Sequence, residues 1–190
     1  LENNRILFEQ FVFGYLENED SNWVNDFGTV HTPYPIIRYM IRKAEQEWSR
    51  TRDNNDGLLD SECFVLDPCT GSGHYYISVL EHIYRKAVTS GLGIEYAREQ
   101  VRIAIGSEEQ RGRIVAIDIQ PACLLMTLMN LRLFCEQYQI NTEFMLPSVH
   151  LANSLTVGDE IGPQYLFDLA NTDFSITLGN PPWSGHSSFQ

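Results

Sequence analysis

CFVLDPCTGSGHYYISVLEHIYRKAV, residues 63–88, decides the fold. The short apolar run ending at Leu66 reads as a buried strand, and Gly71 and Gly73 make a tight turn behind it. Ile77, Leu80, Tyr84 and Ala87 then recur at helical spacing, so the stretch is a strand, a glycine turn and a helix. Downstream, RIVAIDIQP (113–121) reads as a second buried strand ending at Asp118, with Pro121 opening a helix through Leu124, Leu125, Leu128 and Leu131. Residues 91–112 between them read as an insertion holding a helix from Glu95 to about Ile105. VHLANSL (149–155) is a weaker third strand, and FSITLGNPPW (174–183) a fourth. Strands alternating with helices predict a doubly wound, mainly parallel α/β sheet, which binds ligands beyond the carboxyl ends of its strands. Those ends carry Asp67, Asp118, Asn153 and Asn180.

Upstream, NNRILFEQFVFGYL (3–16) has apolar residues at helical spacing, and Thr32 followed by Pro33 predicts a helix start with a hydroxyl cap. SRTRDNNDGLLDSE (49–62) predicts a loop. The chain thus divides into an N-terminal helical segment, 1–60, and an α/β core, 61–190.

With 190 residues, 43% of them hydrophobic, the chain can bury a core of its own. No signal peptide and no apolar run long enough for a membrane span are visible. Cys63, Cys69, Cys123 and Cys135 form no CxxC pair and read as free buried thiols of a reducing compartment. His31, His74, His82, His150 and His186 show no ligand spacing, so no metal is expected. Net charge is −12, and no Lys or Arg follows Arg132, which works against a nucleic-acid surface in the C-terminal part. Arg38, Arg42, Lys43, Arg50 and Arg52 form the one basic cluster, read first as a solvated helix face.

Each strand end has its own chemistry. In DPCTGSG (67–73) the glycines let backbone approach a ligand closely, while the absence of GxGxxG and of a following lysine argues against a phosphate loop. An aspartate there suits a cationic or hydroxyl-bearing ligand, such as an amino-acid ammonium group. Asp118 can accept bonds from two ribose hydroxyls, or can simply cap the next helix. In NPPW (180–183) the prolines stiffen the turn, so that the side-chain carbonyl of Asn180 and the backbone carbonyl of Pro181 converge beside Trp183. Two acceptors beside an aromatic plane suit a flat ligand with an exocyclic NH2; a structural turn with a core tryptophan is the other reading.

Taken together, DPCTGSG, AIDIQP and LGNPPW, preceded by GTVHTP (28–33), resemble the N6-adenine DNA methyltransferases whose cofactor motifs start upstream of the glycine turn, the γ arrangement. The resemblance covers about residues 3–185, and the aromatic-rich first helix is similar to the methylase part of large restriction-modification polypeptides. It implies a Rossmann-like class I methyltransferase fold, incomplete at its C-terminus, with S-adenosylmethionine as cofactor. It places Thr32, Asp67, Pro68, Thr70, Gly71 and Gly73 around the methionine moiety. Asp118 falls at the ribose, Ile119 against the cofactor adenine, and Asn153 at the adenine amino group, where the family often has aspartate. Asn180, Pro181, Pro182 and Trp183 match the catalytic tetrapeptide, with tryptophan where tyrosine or phenylalanine is more usual. It further implies double-stranded DNA as partner through regions largely outside this chain, attached nuclease or helicase domains, and a prokaryotic or phage-type cytoplasmic setting. RNA or protein-glutamine N-methyltransferases share the Asn-Pro-Pro-aromatic motif and are the rival enzymes. A non-catalytic cofactor-binding or interaction module is the rival of another class.

Overall fold

The computed structural model describes residues 32–53, 55–155 and 173–181. The expected helix over 3–16 lies outside them, as do Pro182 and Trp183. In chain order the elements are α1 (Tyr34–Arg52), a 3-10 turn (Gly57–Leu59), β1 (Val65–Asp67), α2 (His74–Thr89) and α3 (Ile94–Ile105). They continue with β2 (Ile114–Asp118), α4 (Pro121–Tyr138), β3 (Val149–Leu151) and β4 (Ile176–Thr177).

The four strands form one parallel sheet in the order β3-β2-β1-β4. This is the doubly wound, Rossmann-like arrangement the alternating pattern predicts. Helical crossovers cover the sheet, so β2 sits in the interior and Ile114, Val115, Ala116 and Ile117 are all buried. The main core joins this sheet to α1, α2, α3 and α4 through Ile37, Ile41, Tyr76, Leu80, Val101 and Phe134.

Three local expectations change. α1 begins at Tyr34, not Pro33: Pro33 takes the capping position without a side-chain bond, and its carbonyl accepts from Ile36 and Ile37. Pro35 sits in the first turn instead, where a missing N–H costs nothing. The expected loop over 49–62 is helical to Arg52, because its polar side chains line a solvated helix end; Asp53, in the left-handed region, then closes the helix. In α4, Leu125 and Leu128 turn outward, while Leu124, Met126, Thr127, Asn130, Leu131 and Phe134 form its buried face.

Glu45 fastens α1 to the core. Its Oε1 accepts from Leu58 N at 3.1 Å and from Lys86 Nζ at 2.8 Å, and its Oε2 lies 2.7 Å from His82 Nε2. Burial works to raise this carboxyl, but the bonds from His82 and Lys86 prevail and hold it at about 2, against an ordinary 4.5. A folded value below the unfolded one means stability is present above pH 4.5 and is lost as pH falls toward 2. Glu45→Ala is therefore expected to cost about 3 kcal/mol at pH 7. Urea unfolding across pH 5 to 3 checks it: the gap between variant and wild type should narrow as the pH falls.

Candidate active site

The parallel register brings four strand ends to one edge. Val65 and Leu66 of β1 pair with Ile114 and Val115 on one side and with Ile176 and Thr177 on the other. Asp67, Asp118, the turn at Asn153 and the segment Gly179–Pro181 therefore leave the sheet side by side.

The glycine turn is held from two elements. Thr70 N donates to Ile117 O at 3.0 Å and Gly71 N to Asp118 Oδ2 at 2.8 Å, tying the turn to the end of β2. From α4, Thr127 Oγ1 donates to Gly71 O and Asn130 Nδ2 to Ser72 O, both at 2.9 Å. Gly71 and Gly73 have φ of +55° and +83°, yet they face different surroundings. A Cβ on Gly73 would sit 2.8 Å from Thr127 Cγ2, whereas one on Gly71 would meet nothing within 4 Å. Gly73 is required by packing, and Gly71 opens onto a cradle that a side chain would fill. Gly73→Ala is expected to destabilise by about 3 kcal/mol, summing left-handed strain and overpacking. Gly71→Ala should cost only about 1–2 kcal/mol in stability, and thermal melts of the two variants beside the wild type separate them.

Asp118 ties the glycine turn to the segment that leads into α4. Its Oδ2 braces Gly71, and its Oδ1 accepts from Gln120 N at 2.9 Å just before α4. A carboxylate has lone pairs left for hydroxyl donors after two such bonds. Asp67 is only 1% exposed. Its Oδ1 accepts from Cys69 N at 3.3 Å, and its Oδ2 is buried without a partner. Burial pushes this carboxyl up to about 7, against the opposing influence of the nearby Thr70 hydroxyl and the Cys69 N–H, and the charge of Asp118 adds to the rise. A buried acid with an unsatisfied oxygen is a receptor for a cation.

Thr32 comes to the same place, close to the hydroxyl of Tyr75, which donates to Met40 Sδ at 3.1 Å. The Tyr34 ring packs on His74 at 4.9 Å. The start of α1 thus docks on the first turn of α2. Tyr75 makes that link, and sequence reading missed it because the residue counts simply as core in a helix pattern. Pro68 lies against Gly179: a Cβ there would be 3.2 Å from both Pro68 Cδ and Asp67 Oδ1. Leu178 N bonds Leu66 O at 2.9 Å, so Asn180 follows directly beside the Asp67–Pro68 corner. Ile119 is 60% exposed, an apolar side chain left open at the β2 end. Asn153 is exposed, and its Oδ1 is engaged locally by Leu155 N at 3.0 Å. Pro181 is exposed and Asn180 half-buried.

An open depression of about 610 Å3, lined by Trp48, Arg52, Glu62, Phe64, Phe174 and Ser175 among others, lies at the opposite, N-terminal end of β1 and β4. It involves none of the strand-end residues. Among the described residues, no cluster of three His, Cys, Asp or Glu side chains could hold a metal ion. No described helix is long and apolar enough to cross a membrane.

The family model for N-6 DNA methylase matches residues 7–189. No curated protein sequence matches the chain. Among solved structures, the chain is similar to one in the DrdV–DNA complex, with 15% identity and a TM-score of 0.67 over 94% of this chain and 16% of that one. It is also similar to a nuclease-deletion mutant of the Type ISP restriction-modification enzyme LlaGI in complex with a DNA substrate mimic, with 14% identity and a TM-score of 0.69 over 92% and 14%. The ATP-dependent Type ISP restriction-modification enzyme LlaBIII bound to DNA is similar at 14% identity and a TM-score of 0.67 over 83% and 10%. The chain spans about a sixth or less of the length of these structures, and at such identities the likeness is one of fold.

Proposed function

The chain belongs to the N-6 DNA methylase family, and from that membership we propose that it is the cofactor-binding and catalytic-loop part of a site-specific DNA adenine-N6 methyltransferase of a restriction-modification system. One observation carries the reading of the site. The glycine turn, the Asp118 carboxylate and the Gly179–Pro181 segment meet at one sheet edge, joined by the Gly71–Asp118 bond and the Gly179 contact with Asp67 and Pro68.

The residues present fit S-adenosylmethionine. The open cradle at Gly71 and the unpartnered Oδ2 of Asp67 suit its methionine end, with Thr32, Pro68, Thr70 and Gly73 shaping the turn. Asp118 suits the ribose, Ile119 the adenine face, and Asn153 the adenine amino group. When bound, the cofactor supplies an electrophilic methyl group. The chain's own part is to hold the target adenine, flipped from its duplex and stacked on Trp183. The Asn180 side-chain oxygen and the Pro181 carbonyl accept the N6 hydrogens, drawing the nitrogen lone pair out of ring conjugation and aiming it. Catalysis here is orientation and electrostatic placement. Double-stranded DNA, engaged through regions largely outside this chain, and attached nuclease or helicase domains complete the proposal, in a prokaryotic or phage-type cytoplasm.

Calorimetric titration with S-adenosylmethionine tests it, with Asp118→Ala as the comparison. Binding by the wild type that weakens at least tenfold in the variant is expected; a folded chain that does not bind overturns the reading. Labelled methyl transfer offered to DNA, RNA and protein substrates should appear in adenine of DNA.

A further inference from the structure

Most surface cations of this acidic chain are neutralised close by. Arg50 pairs with Glu47, Arg85 with Glu81, Arg98 with Glu95, Arg102 with Glu99 and Arg132 with Glu136, while Arg52 reaches Glu62. Arg42 and Lys43 on α1 are different. Among the described residues neither has a carboxylate partner, and Lys43 bonds only the neutral Gln46, at 3.3 Å. The acids of α1 that could have served are committed elsewhere, Glu45 inward to Lys86 and His82 and Glu47 to Arg50.

Ile37 and Ile41 bury the inner face of α1, so Arg38, Tyr39, Arg42 and Lys43 all stand exposed on its other side. Tyr39 is 56% exposed among these cations. The face also begins at the right end of the molecule, since Tyr34 packs on His74 immediately after the glycine turn. At 1.5 Å per residue, Arg38 to Lys43 lie roughly 6–13 Å along the helix from that contact. A duplex carries one charge per about 1.7 Å of axis. A duplex delivering a base to the strand ends carries phosphates that a cationic helix face at this distance is able to meet.

We propose that the outward face of α1, with Arg38, Arg42 and Lys43 around Tyr39, contacts the phosphate backbone of the duplex that presents the target base. This goes beyond the solvated-face reading of the basic cluster, and it rests on the DNA-methyltransferase function above. The contact is sequence-independent, positioning the duplex without reading its bases.

The test is anisotropy of a labelled duplex over a salt series, with S-adenosylmethionine titration run on the same proteins. R38Q/R42Q/K43Q is expected to weaken duplex binding about tenfold or more at 0.1 M salt and to make the log–log salt dependence shallower by about 2–3, at unchanged cofactor affinity. R85Q/R132Q, which removes two acid-paired cations elsewhere, should leave duplex binding within twofold. Unchanged affinity and slope in the triple variant overturn the proposal, as does an equal loss in the control. If the triple variant loses cofactor binding as well, R42Q and K43Q singly decide, each expected to reduce the slope by about 1. A wild type that binds cofactor but no duplex at low salt overturns this proposal alone, whereas one that binds no cofactor removes the function beneath it.

Discussion

Asn180→Ala is expected to slow methyl transfer to DNA by about 100-fold or more, the range found when one oriented hydrogen-bond partner is removed from a reacting centre, and to leave S-adenosylmethionine affinity within twofold. The expectation follows from how Asn180 is held. The bond from Leu178 N to Leu66 O sets β4 against β1, and Gly179 then passes so close to Asp67 and Pro68 that the next residue has little freedom. Its backbone is therefore placed by the sheet, so truncating the side chain should remove the proposed acceptor without disturbing the cofactor cradle. Asn180→Asp keeps an acceptor oxygen and should retain much more rate than the alanine variant. Single-turnover transfer of a labelled methyl group, beside calorimetry of the cofactor, reads both halves. An unchanged rate, or cofactor binding lost together with rate, would show that Asn180 does not do this work.

Asp67→Asn should stabilise the cofactor-free protein at pH 8 while abolishing S-adenosylmethionine binding. Burial holds the Asp67 carboxyl at about 7, above its ordinary 3.8. The folded chain then binds the proton more tightly than the unfolded one, so stability present below pH 3.8 is lost as pH rises through 7. The loss is on the order of 4 kcal/mol by pH 8, and an uncharged amide escapes it. A cofactor ammonium beside the carboxylate would reverse the penalty. Wild-type cofactor affinity should accordingly weaken as pH falls below 7, and the pH dependence should vanish in the variant. Chemical unfolding at pH 5 and pH 8, with and without cofactor, checks both parts. A variant that is less stable than wild type at pH 8, or that still binds cofactor with full affinity, would contradict it.

Much of this site was legible before any coordinates. The strand at 65–67, the two glycines with positive φ, the acid at the end of 114–118 and the helix opened by Pro121 all follow from local rules of periodicity, turn geometry and proline chemistry. Where local rules misled, the reason was context. The segment 49–52 stays helical since its polar residues face solvent, and Leu125 and Leu128 are apolar without being core. Tyr75 was invisible as a site residue because nothing in its spacing distinguishes a hydroxyl that bridges two elements from one pointing at water.

By itself, the sequence determined the strand–turn–helix units and the residue types at their ends, because backbone preference and hydrophobic period are properties of a few consecutive residues. Only the tertiary structure decided the order β3-β2-β1-β4, the bond across 47 residues from Gly71 to Asp118, and the approach of Gly179 to Asp67. It also decided which charges are spent: Glu45 is drawn inward to anchor α1, and Arg42 and Lys43 are left on the outer face of that helix without a carboxylate among the described residues. Burial and pairing depend on what lies across the fold, and no local pattern carries that information.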